Sequence, residues 1–301
     1  MSAAVHPENG ALFDLSARTK LRVSGSDRLR YINGQISNDL RKASAASAIH
    51  ACVLTAKGKV NAEVFITSDG DSFLVDSDAE VREQLVARLE RYVIADDVQI
   101  EDVTEQFAMF HLLRAEAVTL DEGRIVSATR YGTAGTDIWV GAEQRDAVMQ
   151  RVRSLLPFCD SSAQETFRLE LGIPRWGHEL TEEIIPTEAS LESSAIDYAK
   201  GCYIGQEVIS RIKMSGQTNK RLCGLITTSD APLRAGMRLS SVDADAKDVG
   251  WITSATMSAR VGTQIALGYI KRGHQDIGTF LSATGEGLEA VRVEVAALPF
   301  V

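Results

Sequence analysis

The stretch Lys200-Gly201-Cys202-Tyr203-Ile204-Gly205-Gln206-Glu207 (KGCYIGQE) sets a single cysteine between a lysine and two glycines. Most free cysteines behave as small buried hydrophobes, and a core cysteine needs none of these neighbours. A metal-site cysteine usually has a partner a few residues away, and Cys202 has none. The run Gln206 to Ile212 can be helical, with Val208, Ile209 and Ile212 on one face. Cys202 then stands just ahead of a helix N-terminus, where the partial positive charge favours a thiolate. Lys200 adds in the same direction if its side chain points the same way. Gly201 and Gly205 allow the backbone to approach something closely. A thiolate so placed can be a nucleophile, a redox sensor or a metal ligand, and the sequence does not choose among these.

Upstream, Ser162-Ala163-Gln164-Glu165 matches a capping box, S/T-x-x-E/Q. The helix it opens carries Phe167 and Leu171 four apart. Glu170 lies three residues from Phe167, at the edge of that apolar face. A carboxylate directed partly inward needs a partner. Gly172-Ile173-Pro174 ends the helix.

Composition narrows the classes. The chain has 301 residues, 45% apolar, enough for a large core and for two or three domains. The net charge is -9 and no basic cluster appears, which argues against nucleic acid as a partner. Trp139, Trp176 and Trp251 are scattered and form no stacking platform. The other cysteines (Cys52, Cys159 and Cys223) are widely spaced, with no CxxC, so reduced thiols in a reducing compartment are expected. His178-Glu179 lacks the second histidine of HExxH, and His6, His50, His111 and His274 are isolated, so no metal site is expected. No GxGxxG or Walker sequence is present. The start, MSAAVHPENG, has neither an apolar h-region nor an Arg-rich amphipathic pattern. No apolar run approaches the ~20 residues that span a bilayer. The expectation is a cytoplasmic protein without membrane contact.

Elsewhere the pattern alternates between strand and helix. Thr19 to Val23 alternates as a half-buried strand, and Ser26 or Asp27 caps a helix carrying Leu29, Ile32 and Ile36. His50 to Leu54 and Val60 to Ile66 flank a turn in which Gly58 takes the positive φ. Ser77 or Asp78 caps a helix that aligns Val81, Leu85 and Leu89. Further strands are expected near Gln99, Ala108 to Leu113, Arg124 to Ala128 and Asp137 to Val140. A helix then carries Val148, Val152 and Leu155 on one side. Asp96-Asp97 and Asp243-Ala244-Asp245 read as turns. From Lys220 onward there are only short strands and turns, as in a small barrel or sandwich. The fold class is α+β with a β domain at the C-terminus.

These stretches together resemble the folate-binding YgfZ/GcvT family, and KGCYIGQE resembles its YgfZ branch closely. Arg168-Leu169-Glu170-Leu171-Gly172 is similar to the family's Arg-x-Glu-x-Gly helix. Ile185 to Ala189 is similar to the segment that follows it. Val23 to Asp27, Ile36 to Asp39 and Thr55 to Lys59 look like the family's opening strand, helix and first hairpin. Gly250 to Ala255 and Ile265 to Tyr269 resemble its C-terminal barrel. The resemblance covers nearly the whole chain.

The resemblance implies a three-domain cloverleaf around a channel that binds tetrahydrofolate. Its parts would be a central α+β domain (1–50 and 151–215), a second α+β domain (51–150) and a C-terminal β-barrel (220–301). It implies that Glu170 binds the amino-pyrimidine edge of the pterin, where a ring N–H and an amino group suit a carboxylate. Lys200 falls where the family carries a basic residue near folate, and Asn38 and Lys57 would line the same channel. One class in the family is aminomethyltransferase, which relies on an aspartate in a Lys-Asp-Leu sequence. With one gap Gln84 stands at that position, and without it Glu83 does. Gln cannot hold a proton as a carboxylate does. The other class lacks transferase activity and supports iron–sulfur cluster assembly or repair in a folate-dependent way. The sequence sides with that class, with Cys202 as the reactive thiol and iron–sulfur proteins or their assembly factors as partners. The alternative is a folate-dependent aminomethyltransferase or demethylase that uses a substituted carboxylate such as Glu83 or Asp78.

Overall fold

The computed structural model describes residues 10–114, 123–227, 229–243 and 246–301. His6, the rest of the first nine residues, and Ala244 and Asp245 of the last acidic turn lie outside the described residues. The chain forms two compact units. One comprises the described residues up to Asp160 together with Leu191–Arg211, and the other comprises Ser161–Ser190 with Ile212–Val301.

The first unit begins with β1 (Ala11–Asp14), β2 (Thr19–Ser24), α1 (Arg28–Gln35), β3 (Ile49–Leu54), β4 (Val60–Asp69) and β5 (Ser72–Ser77). It continues through α2 (Arg82–Glu90), β6 (Gln99–Asp102), β7 (Phe107–Leu113), β8 (Arg124–Ala128), β9 (Gly135–Gly141), α3 (Arg145–Arg153) and β10 (Phe158–Cys159). After α4 (Ser161–Glu170), which belongs to the other unit, come the short α5 (Glu192–Ala195) and α6 (Gln206–Ser215), whose residues from Ile212 on are counted with the other unit. One sheet runs β3-β4-β5-β2-β6 and the other β10-β1-β7-β9-β8. The first is antiparallel throughout, and the second is antiparallel except where β10 lies parallel to β1.

The expected hairpin forms. Gly58 takes φ +72°, its N–H donates to the Thr55 carbonyl, and the Thr55 N–H donates to the Lys59 carbonyl. In α2, Leu85 and Leu89 are buried as the spacing requires, with Val81 buried in the preceding turn. Each such side chain contributes about 1.5–3 kcal/mol on burial. The capping expectations fare differently. Asp78 makes no cap bond, and its carboxylate faces Arg18 at 3.5 Å. Ser26 and Asp27 interlock with Asp97 instead of capping α1: Ser26 donates to the Asp97 carboxylate, and the Asp97 N–H donates to Asp27. Ile36 is buried but lies past the end of α1, in extended backbone. Leu155 follows the end of α3 and is 60% exposed.

Arg130 ties the two sheets together. It makes paired hydrogen bonds to Asp76 at the end of β5 (2.9 and 2.7 Å) and to Asp137 in β9 (2.8 and 2.7 Å). The His111 Nδ1–H donates to the same Asp137 at 2.7 Å. Burial pushes the Asp137 carboxyl up, but Arg130 and His111 outweigh it and hold it well below the usual carboxylate range.

In the other unit, β11 (Lys220–Thr227), β12 (Arg238–Ser241), β13 (Asp248–Ser258), β14 (Thr263–Lys271), β15 (Phe280–Thr284) and β16 (Val291–Ala296) close into a barrel in the order β11-β14-β13-β12-β15-β16. Alternation is plain in β16, where Val291, Val293 and Val295 face inward between Arg292 and Glu294. Leu225, Leu239, Ile252 and Leu281 are fully buried in the barrel core. α4 packs on β13 and β14. The expected α+β class with a C-terminal barrel is what the structure shows.

Candidate functional site

Cys202 is exposed, while Cys52, Cys159 and Cys223 are buried. Burial pushes the Cys159 thiol up to about 12 and Cys223 to about 11, and it pushes Cys52 higher still. The segment holding Cys202 is pinned on both sides. On one side the Lys200 ammonium donates to the carbonyls of Asn33, Ile36 and Asn38, each at 2.7 Å. On the other side the Ile204 N–H donates to Gly34 at 3.2 Å, and α6 begins at Gln206. The thiol is thus presented to solvent four residues ahead of that helix.

The motif's two glycines have different roles. Gly205 takes φ +89°, and a Cβ there would lie 2.7 Å from the Thr55 carbonyl oxygen. A Cβ on Gly58 would lie 2.9 Å from that of Val208. The hairpin and the start of α6 therefore meet backbone to backbone, the close approach expected of Gly205. A Cβ on Gly201 would meet open space, so no steric contact demands glycine there.

Lys200 is only 5% exposed, and its three N–H donors are all matched to carbonyls. Burial pulls its pKa down to about 8, against the pull of Asp39 and Asp197. Its charge holds the loop after α1. Asn38 is a stitch of the same kind: its side-chain amide donates to His50 and Ser194 carbonyls and accepts from the Asp39 N–H. Lys57 is exposed at the hairpin tip. Among these residues the structure brings Lys200 and Asn38 into direct contact.

Glu170 lies in the other unit, at the end of α4, and is 3% exposed. The inward carboxylate expected from helical spacing is present, and its partners come from the barrel. Oε1 accepts from the Ser258 hydroxyl at 2.6 Å, and Oε2 accepts from the Arg260 guanidinium at 3.1 Å. Sequence reading had no signal for these partners, which stand 88 and 90 residues away. Two residues before Glu170, Arg168 is locked to Glu165, Glu179 and Ser254. Glu165 thus serves two arginines, Arg168 and Arg175. The helix already begins at Ser161, so Ser162 sits inside its first turn and does not form the expected capping box.

The histidines expected to be isolated are partnered in two cases: His50 meets Glu63 at 2.7 Å, and His111 meets Asp137. His178 contacts Ser254 and Arg175. Among the described residues no group of three or more His, Cys, Asp or Glu could hold a metal ion. At the position compared with the transferase aspartate, the Gln84 side-chain amide donates to the Asn61 carbonyl at 2.9 Å, while Glu83 is exposed.

The chain matches the GCVT N-terminal domain over residues 3–120 and the glycine cleavage T-protein C-terminal barrel domain over residues 220–301. It is 26% identical over 252 residues to the iron-sulfur cluster assembly factor IBA57 homolog, mitochondrial, of Dictyostelium discoideum; the match covers 69% of this chain and spans 60% of that relative's length. It is 28% identical over 275 residues to the aminomethyltransferase of Aquifex aeolicus, covering 86% of this chain and 75% of the relative. In structure it is similar to the glycine cleavage system aminomethyltransferase T of Bartonella henselae, with a TM-score of 0.84 at 18% identity, over 97% of this chain and 86% of the other. No helix among the described residues is long and apolar enough to cross a membrane.

Proposed function

We propose, for a chain built on the N-terminal and barrel domains of the glycine cleavage T-protein, that it binds tetrahydrofolate and supports assembly or repair of iron–sulfur enzymes through the Cys202 thiol. The observation that carries this reading is the exposed Cys202 thiol on a segment fixed at both ends. An accessible sulfur held in place can engage an iron or a partner's thiol without an ordering cost at each encounter. One cysteine cannot hold a four-cysteine cluster, so a cluster is passing cargo, shared with an iron–sulfur protein or assembly factor. The Dictyostelium relative is named for such a role. The sparse, widely spaced cysteines fit a reducing cytoplasm.

The donor set of Glu170 suits the pterin. Its two carboxylate oxygens, one fixed by Ser258 and the other held by a single Arg260 nitrogen, match a paired ring N–H and amino group. Asn38 and Lys200 act one step back, by fixing the loop that borders the Cys202 segment, and Lys57 is an exposed cation at the hairpin tip.

The second reading, aminomethyl transfer to folate, draws on the Aquifex and Bartonella relatives. Against it stands Gln84, an amide that with one gap falls where that chemistry uses a carboxylate; without the gap Glu83, exposed here, falls there. Two assays test the proposal. Tetrahydrofolate affinity should fall about tenfold or more in Glu170→Gln, because the loss of a charged acceptor costs about 1.5–3 kcal/mol. Purified protein given a lipoyl-linked aminomethyl donor and tetrahydrofolate should form no methylene-tetrahydrofolate. Robust turnover would overturn the proposal in favour of the transferase.

A further inference from the structure

We infer that Arg260 is a displaceable counter-ion of Glu170, one that a ligand's paired N–H and NH2 donors must replace, and that it sets how tightly the site binds such a ligand. The inference rests on the reading of Glu170 as the pterin acceptor.

The two partners of Glu170 are held very differently. Ser258 is fully buried, and its hydroxyl oxygen accepts the Val261 N–H at 3.1 Å. Its proton is thereby directed to Glu170 Oε1 at 2.6 Å, a short, fixed bond that sets the plane of the carboxylate. Arg260 reaches Oε2 with one nitrogen, at 3.1 Å. Charge-assisted N–H···O bonds usually run about 2.7–2.9 Å, and strong arginine pairs are two-pronged. The Arg260 side chain is also 18% exposed, against 4% for Glu170. It rides on the turn between β13 and β14, while the ladder itself closes at the Ser258–Thr263 pair. The guanidinium can therefore swing away at the cost of one long bond, with no loss to the barrel.

A guanidinium and an amino-pyrimidine edge are chemical analogues. Both are planar and offer parallel N–H donors to a carboxylate. They compete for the same oxygens, so any ligand that binds Glu170 through two prongs first displaces Arg260. Its apparent affinity is lowered by the fraction of molecules in which the arginine is in place. A ligand with a single donor does not repay that exchange, which sharpens selection for the two-pronged edge.

The test is anaerobic equilibrium binding of tetrahydrofolate to the full chain and to R260A, S258A, E170Q and the R260A/E170Q double variant. The expected result is that R260A tightens binding about five- to tenfold, that S258A weakens it, and that R260A changes nothing when combined with E170Q. Equal or weaker binding by R260A, with E170Q still weakened, would overturn the counter-ion role and leave the Glu170 reading standing. Unchanged binding by E170Q would overturn both. Circular dichroism of R260A, a change on a surface turn, checks that the fold is intact.

Discussion

At position 205 a side chain would strike the Thr55 carbonyl from a backbone already at φ +89°. Gly205→Ala is expected to cost about 1–3 kcal/mol from backbone strain alone, before the clash is counted. Urea denaturation measures this, and Gly201→Ala, which meets open space, is the control expected to stay within about 0.5 kcal/mol. A second prediction concerns the thiols. Native protein treated with an aromatic disulfide should release one equivalent rapidly, from Cys202, and Cys202→Ser should abolish that phase. The three buried thiols should react on the order of a hundredfold more slowly, through opening of the fold. At this scale the sequence was legible where local geometry decides. Glu170 three residues from Phe167 had to face partly inward, and Gly58 had to turn a hairpin. It was silent where a partner is remote: nothing near Lys200 announces the carbonyls of Asn33, Ile36 and Asn38, and nothing near Glu170 announces Ser258 or Arg260.

Among the elements, strands such as β16 read true because one face is buried, which enforces alternation, while β1 went unread. β10 was missed for a physical reason. Two residues lying parallel to β1 carry no period of their own. Asp27 and Asp78 stand at the N-cap positions expected of them, but their side chains turn to Asp97 and Arg18 instead of capping, and α4 begins at Ser161, ahead of the expected Ser162. The strongest of these hidden contacts joins the two sheets through Arg130. Arg130→Met leaves Asp76 with Arg18 alone and Asp137 with His111 alone, a loss expected to cost about 3 kcal/mol in chemical denaturation. The same network makes stability depend on pH. Burial pushes the His111 imidazole below its ordinary 6.5, against the pull of Asp137, while Arg130 pushes it further down and Asp76 pulls it up. As pH falls below 6.5 the unfolded chain takes up this proton first, so the His111 contribution is complete above that value and is lost below it. Asp137, held low, adds a second loss only below about pH 4, the ordinary carboxylate range. Denaturation midpoints from pH 8 to 5 should show the first limb in wild type and not in His111→Gln.

For the whole molecule, a T-protein fold carries a surface and a set of sites, not an activity. The same architecture serves relatives named as aminomethyltransferases and one named as an iron–sulfur assembly factor. On the proposed reading, what sets this chain apart from a transferase lies in a few positions: a glutamine at 84, bonded to the main chain of β4, and a cysteine at 202 held out to solvent. The class of the fold could be read from strand and helix periods, and the family resemblance from KGCYIGQE. On that reading the decisive residue is Cys202. Its most direct test is the activity of an iron–sulfur enzyme under oxidative stress in cells whose only copy of this protein carries Cys202→Ala, with protein level and tetrahydrofolate binding checked as equal to wild type. The account predicts that enzyme activity drops to the level of cells lacking the protein. Activity equal to wild type would contradict it and leave Cys202 as a bystander on a folate-binding fold.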